Sequence, residues 1–236
     1  YAALIKLNTP ERNIMTIEDP VEYQIERINQ IQVNTRVGIT FASGLRTFLR
    51  QDPNVILVGE IRDKETAEIA VQAALTGHLV LSTLHTNDVP GTITRLLDIG
   101  IEPYMISATL ICVVSQRLVR VLCPYCKQKY KPSGNLLRQL GVENTGDIVF
   151  YSPGGCKKCL NTGYAGREAI YEIFTISQAA KVLISTRPSL EKLRETFVSG
   201  GMKTLFENGL EKLKNGVTSI EEIMRVARFG GDNGGL

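Results

Sequence analysis

Val55-Ile-Leu-Val-Gly-Glu60 sets four apolar residues ahead of a glycine and one carboxylate. Such a run reads as a strand buried on both faces, its far end delivering an acid to the edge of a sheet. A second such strand, fully buried, is expected over Leu79–Leu84, ending in His85, with a helical stretch over Lys64–Gly77 between the two. This is a βαβ unit. Ligands of open parallel sheets sit beyond the carboxyl ends of the strands, so Glu60 and His85 become neighbours at an edge suited to phosphate chemistry.

Outward from this unit the pattern alternates. Tyr1–Leu7 reads as helix from its first residue, Asn13–Ile17 as a strand running into Glu18-Asp19-Pro20-Val21-Glu22, and Gln30–Val33 as another strand before a turn at Gly38. Thr40 is placed to cap a helix with Phe41, Leu45, Phe48 and Leu49 on one face, and Arg46 and Arg50, four apart, on another. Asp63 suits the cap and Gly77 the stop of the next helix, whose apolar stripe is read as Ala67, Ala70, Val71, Ala74 and Leu75. A third helix starts at Asn87 or Asp88 with Val89, Ile93, Leu96 and Leu97 inward, and Pro103 opens a long core helix to about Leu122. Helices are expected again over 177–186, 189–199, 202–215 and 219–229, the last with Ser219 and Glu222 as a capping box, and residues 230–236 as a disordered tail. The expected divisions are residues 1–122, 123–166, 167–229 and 230–236.

Bulk properties bound the function classes. A chain of 236 residues with 43% hydrophobic and 22% charged residues carries a net charge of only +3, too little to imply an obligate nucleic-acid partner. No run approaches the ~20 consecutive apolar residues of a membrane span, and no basic-plus-apolar leader opens the chain, so a cytosolic protein is expected. A start without Met, inside a helix, suggests a piece of something longer.

Four of the five cysteines form two CxxC knuckles, Cys123-Pro-Tyr-Cys126 and Cys156-Lys-Lys-Cys159, 29 residues apart. Each turn presents two thiolates, and four fill the tetrahedral shell of Zn²⁺ with no open position, which makes the site structural. Disulfides are the alternative, disfavoured in a reducing compartment. A short helix over Leu136–Leu140 fills part of the interval, and Cys112, in an apolar run, reads as a core residue. Tyr125, Lys127, Lys129, Tyr130 and Lys131 interleave aromatic and basic groups, so a nucleic-acid zinc ribbon is a second reading.

The order of these motifs resembles the secretion ATPases of type II secretion and type IV pilus assembly (the GspE and PilB type), within a wider family that includes pilus retraction motors. Ile17-Glu-Asp-Pro-Val-Glu-Tyr23 looks like its Asp box and Leu57-Val-Gly-Glu-Ile-Arg-Asp63 like its Walker B segment. Gly77-His-Leu-Val-Leu-Ser-Thr-Leu-His-Thr86 looks like its His box, and the CxxC pairs like its tetracysteine module. The tetracysteine module favours the assembly and secretion branch, with a lean to secretion. The resemblance implies an α/β, RecA-like P-loop ATPase core without its first strand and phosphate loop, since no GxxxxGK[ST] occurs in these residues, followed by a zinc-binding insertion and a helical C-terminal region. The chain would begin just after that loop, lack the family's N-terminal docking domains and, by itself, bind ATP poorly.

It further implies that Glu60 holds Mg²⁺ or its water shell, that Glu22 orients the attacking water with Glu18 in support, and that His85 senses the terminal phosphate. His78, Arg46, Arg50 and Arg62, and more weakly Arg36, would lie near phosphates or a subunit boundary. An arginine acting in trans requires a ring, and the family's rings are hexamers. The implied cofactors are ATP, Mg²⁺ and Zn²⁺. The implied partners are other copies in a homo-hexamer, an inner-membrane platform protein and membrane-anchored secretion or pilus components, with no nucleic acid and a peripheral place at the inner membrane. A non-catalytic scaffold that keeps the motor fold is the rival.

Overall fold

In the computed structural model, which describes residues 1–141 and 149–227, helices and strands alternate through the first half of the chain. Helix α1 (Ala2–Leu7) is followed by β1 (Ile14–Glu18) and β2 (Asn29–Gln32), then by α2 (Phe41–Phe48), β3 (Val55–Val58), α3 (Lys64–Leu75), β4 (Leu79–Ser82) and α4 (Val89–Ile99). The four strands make one parallel sheet in the order β2-β1-β3-β4. Its register sets Ile17 beside Val58 and Val58 beside Ser82, so Glu18, Gly59 and Thr83 leave the sheet side by side.

Burial explains why these segments are strands. Every residue of β1 is buried, and Val55, Ile56 and Val58 of β3 expose 3% or less, as covering both faces of a parallel sheet requires. The expectation of a second fully buried strand at β4 is corrected: it is an edge strand, partly open, with Leu79 exposed. Thr40 caps α2 as expected, its hydroxyl accepting from the Ser43 N–H, and Asp63 caps α3 by accepting from the Thr66 N–H. Helix α2 approaches β1 so closely that a methyl group on Gly44 would meet Ile17 Cδ1 at 2.9 Å. The buried stripe of α3 is Thr66, Ala67, Ile69, Ala70 and Ala73, rotated from the expected one, and Leu75 is exposed. Asp88 caps α4, accepting from the Gly91 N–H.

The long helix expected from Pro103 to Leu122 is not formed. Helix α5 (Pro103–Thr109) stops after seven residues, and β5 (Cys112–Leu122) takes over. In β5, Val113, Ser115, Val119 and Leu122 are buried while most of their neighbours face out, and its several valines favour the pleated conformation. Cys112, expected in a core, is exposed on this strand.

Beyond β5 come β6 (Gln128–Tyr130), α6 (Gly134–Gln139), β7 (Phe150–Ser152), β8 (Tyr164–Thr175), α7 (Gln178–Ile184), α8 (Leu190–Ser199), α9 (Leu205–Lys214) and α10 (Ile220–Val226). Strands β5 and β8 pair, antiparallel, since Ile176 N–H reaches Ile111 O at one end and Cys123 N–H reaches Gly163 O at the other. The expected boundary between residues 166 and 167 therefore falls inside a strand. The buried positions Ile170, Glu172 and Phe174 of β8 alternate, but the charge of Glu172 masks the pattern in sequence.

Two compact units result: Tyr1–Val113 with Thr175–Phe197, and Val114–Phe174 with Val198–Leu236. The first packs Leu4, Ile14, Ile28 and Val55 together on the sheet. The second has its own core, with Val119, Phe150, Ile170, Leu213, Ile220 and Ile223 among its buried members. The expected capping box on α10 is half made: Ser219 accepts from the Glu222 N–H, but the Glu222 carboxylate is turned to Arg120 and Arg225. The tail expected over 230–236, and the last residues of the helix expected to reach 229, lie outside the described residues.

Candidate functional site

At the carboxyl edge of β1, β3 and β4 lies a cleft of about 380 Å³ lined by Glu18, Glu22, Gly59, Glu60, Arg62, Thr83, His85 and Tyr1, among others. The edge is built tightly. Gly59 N–H donates to Ile17 O, and a methyl group at Gly59 would press on Glu18 Cα and Ile17 O at 3.2 Å. Thr83 donates its hydroxyl to Gly59 O at 2.7 Å and receives the Ile61 N–H at 3.0 Å, which locks the ends of β3 and β4 together.

Glu60 is 9% exposed and holds two partners, Arg62 at 2.5 Å on one oxygen and His85 Nε2 at 2.9 Å on the other. The carboxylate makes Nε2 the protonated nitrogen of that ring. The bond from Arg62, helped by that from His85, outweighs the opposing effect of burial and holds the Glu60 carboxyl below the usual glutamate range. Glu60 is thus a carboxylate at neutral pH. His85 is 84% exposed and swings from a strand end, so it can leave Glu60 without unpacking anything.

Glu18 differs. It is 4% exposed, and its carboxylate accepts from Thr16 at 2.5 Å, from Gln30 at 3.1 Å and from the Tyr1 hydroxyl. Burial first, and Glu18 second, raise the Tyr1 phenol above its ordinary range, so it stays protonated and donates. Glu22 sits at the exposed rim on the loop after Pro20, its backbone N–H on the Tyr1 hydroxyl at 3.1 Å. The structure therefore brings Glu18, Glu22, Glu60, Arg62 and His85 to one cleft.

It does not bring Arg46, Arg50, Arg36 or His78 there. A helix connecting two parallel strands runs back against them, so its last turn lies at their amino edge. Helix α2 ends at Phe48, which leaves Arg50 beyond it rather than on the shared face expected. The residues that follow, Gln51 and Asp52, bond through their carbonyls to Asn13, ahead of β1. Arg46 pairs with Glu65 of α3 at 2.6 Å. Arg36 lies exposed on a one-turn 3-10 helix, Thr35–Val37. His78 precedes β4, at the edge opposite to His85, where its Nδ1 caps the end of α3 on Ala73 O at 2.9 Å. Tyr1, Thr83 and Gln30 were not read from sequence; nothing in their spacing marks them, because their partners are distant in the chain.

The four CxxC thiols meet in the second unit, with all sulfurs within 4.8 Å of one another. Strands β6 and β7 make the meeting possible: pairing Gln128 with Ser152 closes the 29-residue interval and leaves a knuckle at each end of the ladder. Sulfurs 2.3 Å from a central Zn²⁺ would stand about 3.8 Å apart. The observed separations are 4.0 Å for Cys123–Cys156 and 3.8 Å for Cys126–Cys159 and Cys156–Cys159. None is bonded as a disulfide. Backbone N–H groups of Gly155, Cys156 and Gly163 point at Cys126 and Cys159 sulfurs at 3.2–3.3 Å, as thiolate ligands favour. Burial is the largest influence on both thiols; it carries Cys126 up to about 12, whereas bonds from Cys156 and Gly163 N–H bring Cys159 down to about 6. This cluster could hold a metal ion. Lys127 lies over Tyr151 and donates to Gly216 O, so one lysine of the basic-aromatic pattern is held by the fold, while Tyr125, under Lys158, stays exposed.

Comparison with known proteins identifies a family for the chain. Residues 1–225 match the family described as type II/IV secretion system protein. The chain is 49% identical to the type II secretion system ATPase E of Vibrio cholerae over 228 residues, 97% of this chain and 45% of that protein. It is 50% identical to the type IV pilus assembly ATPase PilB of Thermus thermophilus over 226 residues, 95% of this chain and 25% of that one. Among solved structures, the pilus retraction motor PilT with bound ADP superimposes with a TM-score of 0.70 at 30% identity, covering 97% of this chain and 57% of that one. The chain thus spans less than half the length of these two curated relatives, and it belongs to the type II/IV secretion system protein family of secretion and pilus motor ATPases.

Proposed function

We propose that this chain is the catalytic-core part of an ATP-hydrolysing motor subunit that drives assembly of a type II secretion pseudopilus or a type IV pilus. The observation that supports it most is the convergence of Glu22, Glu60, Arg62 and His85 on one cleft at the carboxyl edge of a parallel sheet. Phosphoryl transfer to water needs positioned charges more than covalent chemistry, and this cleft supplies them.

Mg²⁺ with its nucleotide would supply charge neutralisation at the phosphates. Glu60, ionised and nearly buried, is the residue to hold the ion or its water shell. Glu22, exposed at the rim, would orient a water molecule and take its proton. Arg62 stands beside Glu60 to balance negative charge. His85, bonded to Glu60 and otherwise open, would report on the terminal phosphate by changing partner. Glu18, fully satisfied, orders the edge rather than touching the water. Arg46 and Arg50 lie away from their own cleft, so a role near phosphate requires them to reach a neighbour's site in a ring, and a homo-hexamer is the assembly proposed. His78 keeps the end of α3 in place.

The cysteine tetrad would hold a structural Zn²⁺. Among the described residues no helix is long and apolar enough to cross a membrane. A cytoplasmic protein, peripheral at the inner membrane through a platform protein, is the setting this reading requires. With no phosphate loop in its sequence, the chain alone would turn over ATP poorly or not at all.

Phosphate release, measured on the chain joined to an upstream segment that carries GxxxxGK[ST], tests the reading. Steady turnover that Glu60→Gln lowers ~100-fold is expected, the scale of losing one positioned charge in a dry site. No turnover, or turnover indifferent to Glu60→Gln, would leave a scaffold with a motor's fold. Elemental analysis tests the zinc assignment: one Zn²⁺ per chain is expected, and four oxidised thiols without metal would refute it.

A further inference from the structure

The loop from Pro20 to Ile28 carries Glu22 away from the sheet, and something must fix where that carboxylate stands. Gln30 holds the loop's later part, accepting from the Ile25 N–H at 2.6 Å and donating to Tyr23 O at 3.2 Å. At Glu22 itself the backbone N–H donates to the Tyr1 hydroxyl at 3.1 Å. That hydroxyl in turn donates to Glu18 Oε2. Glu18 is anchored, since Thr16 and Gln30 both donate to its other oxygen from strands β1 and β2. The Tyr1 ring also meets Tyr23 edge-on, with centroids 4.6 Å apart and planes at 82°.

We propose that Tyr1 is a positioning residue for hydrolysis: its hydroxyl, bonded at once to the Glu18 carboxylate and the Glu22 N–H, transmits the order of the sheet to the residue that handles water. The inference rests on the reading of Glu22 given above. The chemistry favours a chain of this sense. A phenol that donates to a carboxylate becomes a stronger acceptor, so the Glu18 bond reinforces the Glu22 bond. The relay also ties the start of α1, whose N-cap is Tyr1, to the water-handling loop. Both bonds exist only while the hydroxyl is present: without it, buried Glu18 Oε2 and the exposed Glu22 N–H each lose a partner.

Tyr1→Phe keeps the ring contact with Tyr23 and deletes only the hydroxyl, and the experiment uses the protein with its upstream phosphate-loop segment. The expected result is a kcat for ATP hydrolysis ~10-fold lower with KM for ATP within ~2-fold, the pattern of a lost transition-state alignment rather than lost binding. Because Tyr1 acts through Glu22, adding Tyr1→Phe to Glu22→Gln should cost nothing more. Glu18→Gln keeps the shape but weakens the pull on the phenol, and should lower kcat in the same direction, again without effect once Glu22→Gln is present. That second variant decides the matter if Tyr1→Phe does not fold. An unchanged kcat in both single variants, or losses that multiply with that of Glu22→Gln, would overturn the proposal. Full turnover by Glu22→Gln itself would instead overturn the functional reading on which it stands.

Discussion

Glu60 and Glu222 are both nearly or fully buried carboxylates flanked by arginine, yet their surroundings differ in kind. Glu60 keeps two partners at a cleft, one of which, His85, is 84% exposed. Glu222 exposes nothing and accepts from the Arg120 backbone N–H and from both guanidinium groups, Arg120 at 2.7 Å and Arg225 at 2.6 Å. Around it Thr218 donates to Arg120 O, and the Arg120 guanidinium lies 4.1 Å from the Tyr164 ring centroid. One carboxylate can exchange partners without cost to the core; the other cannot move without opening it. Charge and neighbours do not separate the proposed working acid from the structural one; the carboxylate's own surroundings do, since Glu60 lines a cleft and Glu222 exposes nothing.

The largest expected effect falls on the structural member. Glu222→Gln should lower unfolding stability by about 3 kcal/mol, at the lower end for a broken buried pair because both arginines can still reach water. Denaturant unfolding measures it, and a loss under ~1 kcal/mol would erase the contrast.

The same contrast has a pH form. Burial pushes the Glu222 carboxyl up, but the bonds from Arg225 and Arg120 outweigh it and bring it from 4.5 to about 2. A depressed folded value means that the unfolded chain takes up the proton first as pH falls. The stabilisation is complete above about pH 4.5 and drains away as pH falls toward 2, amounting to about 3 kcal/mol. Acid unfolding of the wild type should steepen over that window, and Glu222→Gln should flatten it.

Glu60→Gln should behave in reverse. Phosphate release falls ~100-fold, equivalent to about 2.7 kcal/mol of transition-state stabilisation, while unfolding stability changes by under ~1 kcal/mol. A large loss of stability with turnover preserved would exchange the roles of the two residues.

How far sequence alone reaches follows from the same pair. Glu60 was legible because a buried strand is a local pattern, and the end of a local pattern is a place. His85 was legible for the same reason, and the CxxC turns because four-residue spacing is metal chemistry. Glu222 was legible only by half: its N–H bond to Ser219 is local, whereas Arg120 lies 102 positions away. Tyr1 and Gln30 stayed hidden by the same distance. Strand β5 was misread because Met105–Leu122 is apolar enough for a helix, and only its partner β8 makes alternation the better use of Val113, Val119 and Leu122. Arg50 is expected on a helix face shared with Arg46, and His78 at the site by resemblance to a His box, but a residue before a strand and one after a crossover helix stand at the edge opposite the site.

Arg46 and Glu65 give the smallest effect and the sharpest limit on the comparison. Their 2.6 Å pair has the geometry of the Glu222 contacts, but the two side chains are 53% and 59% exposed. If exposure rather than distance decides what an ion pair contributes, a double-mutant cycle on Arg46→Ala and Glu65→Ala should return a coupling of ~0.2–1 kcal/mol. Added salt should shrink it further, because water and counterions screen both charges. A coupling near that of Glu222, insensitive to salt, would show that short distances alone carry the energy, and burial of the carboxylate would then lose its standing as what sets Glu222 apart.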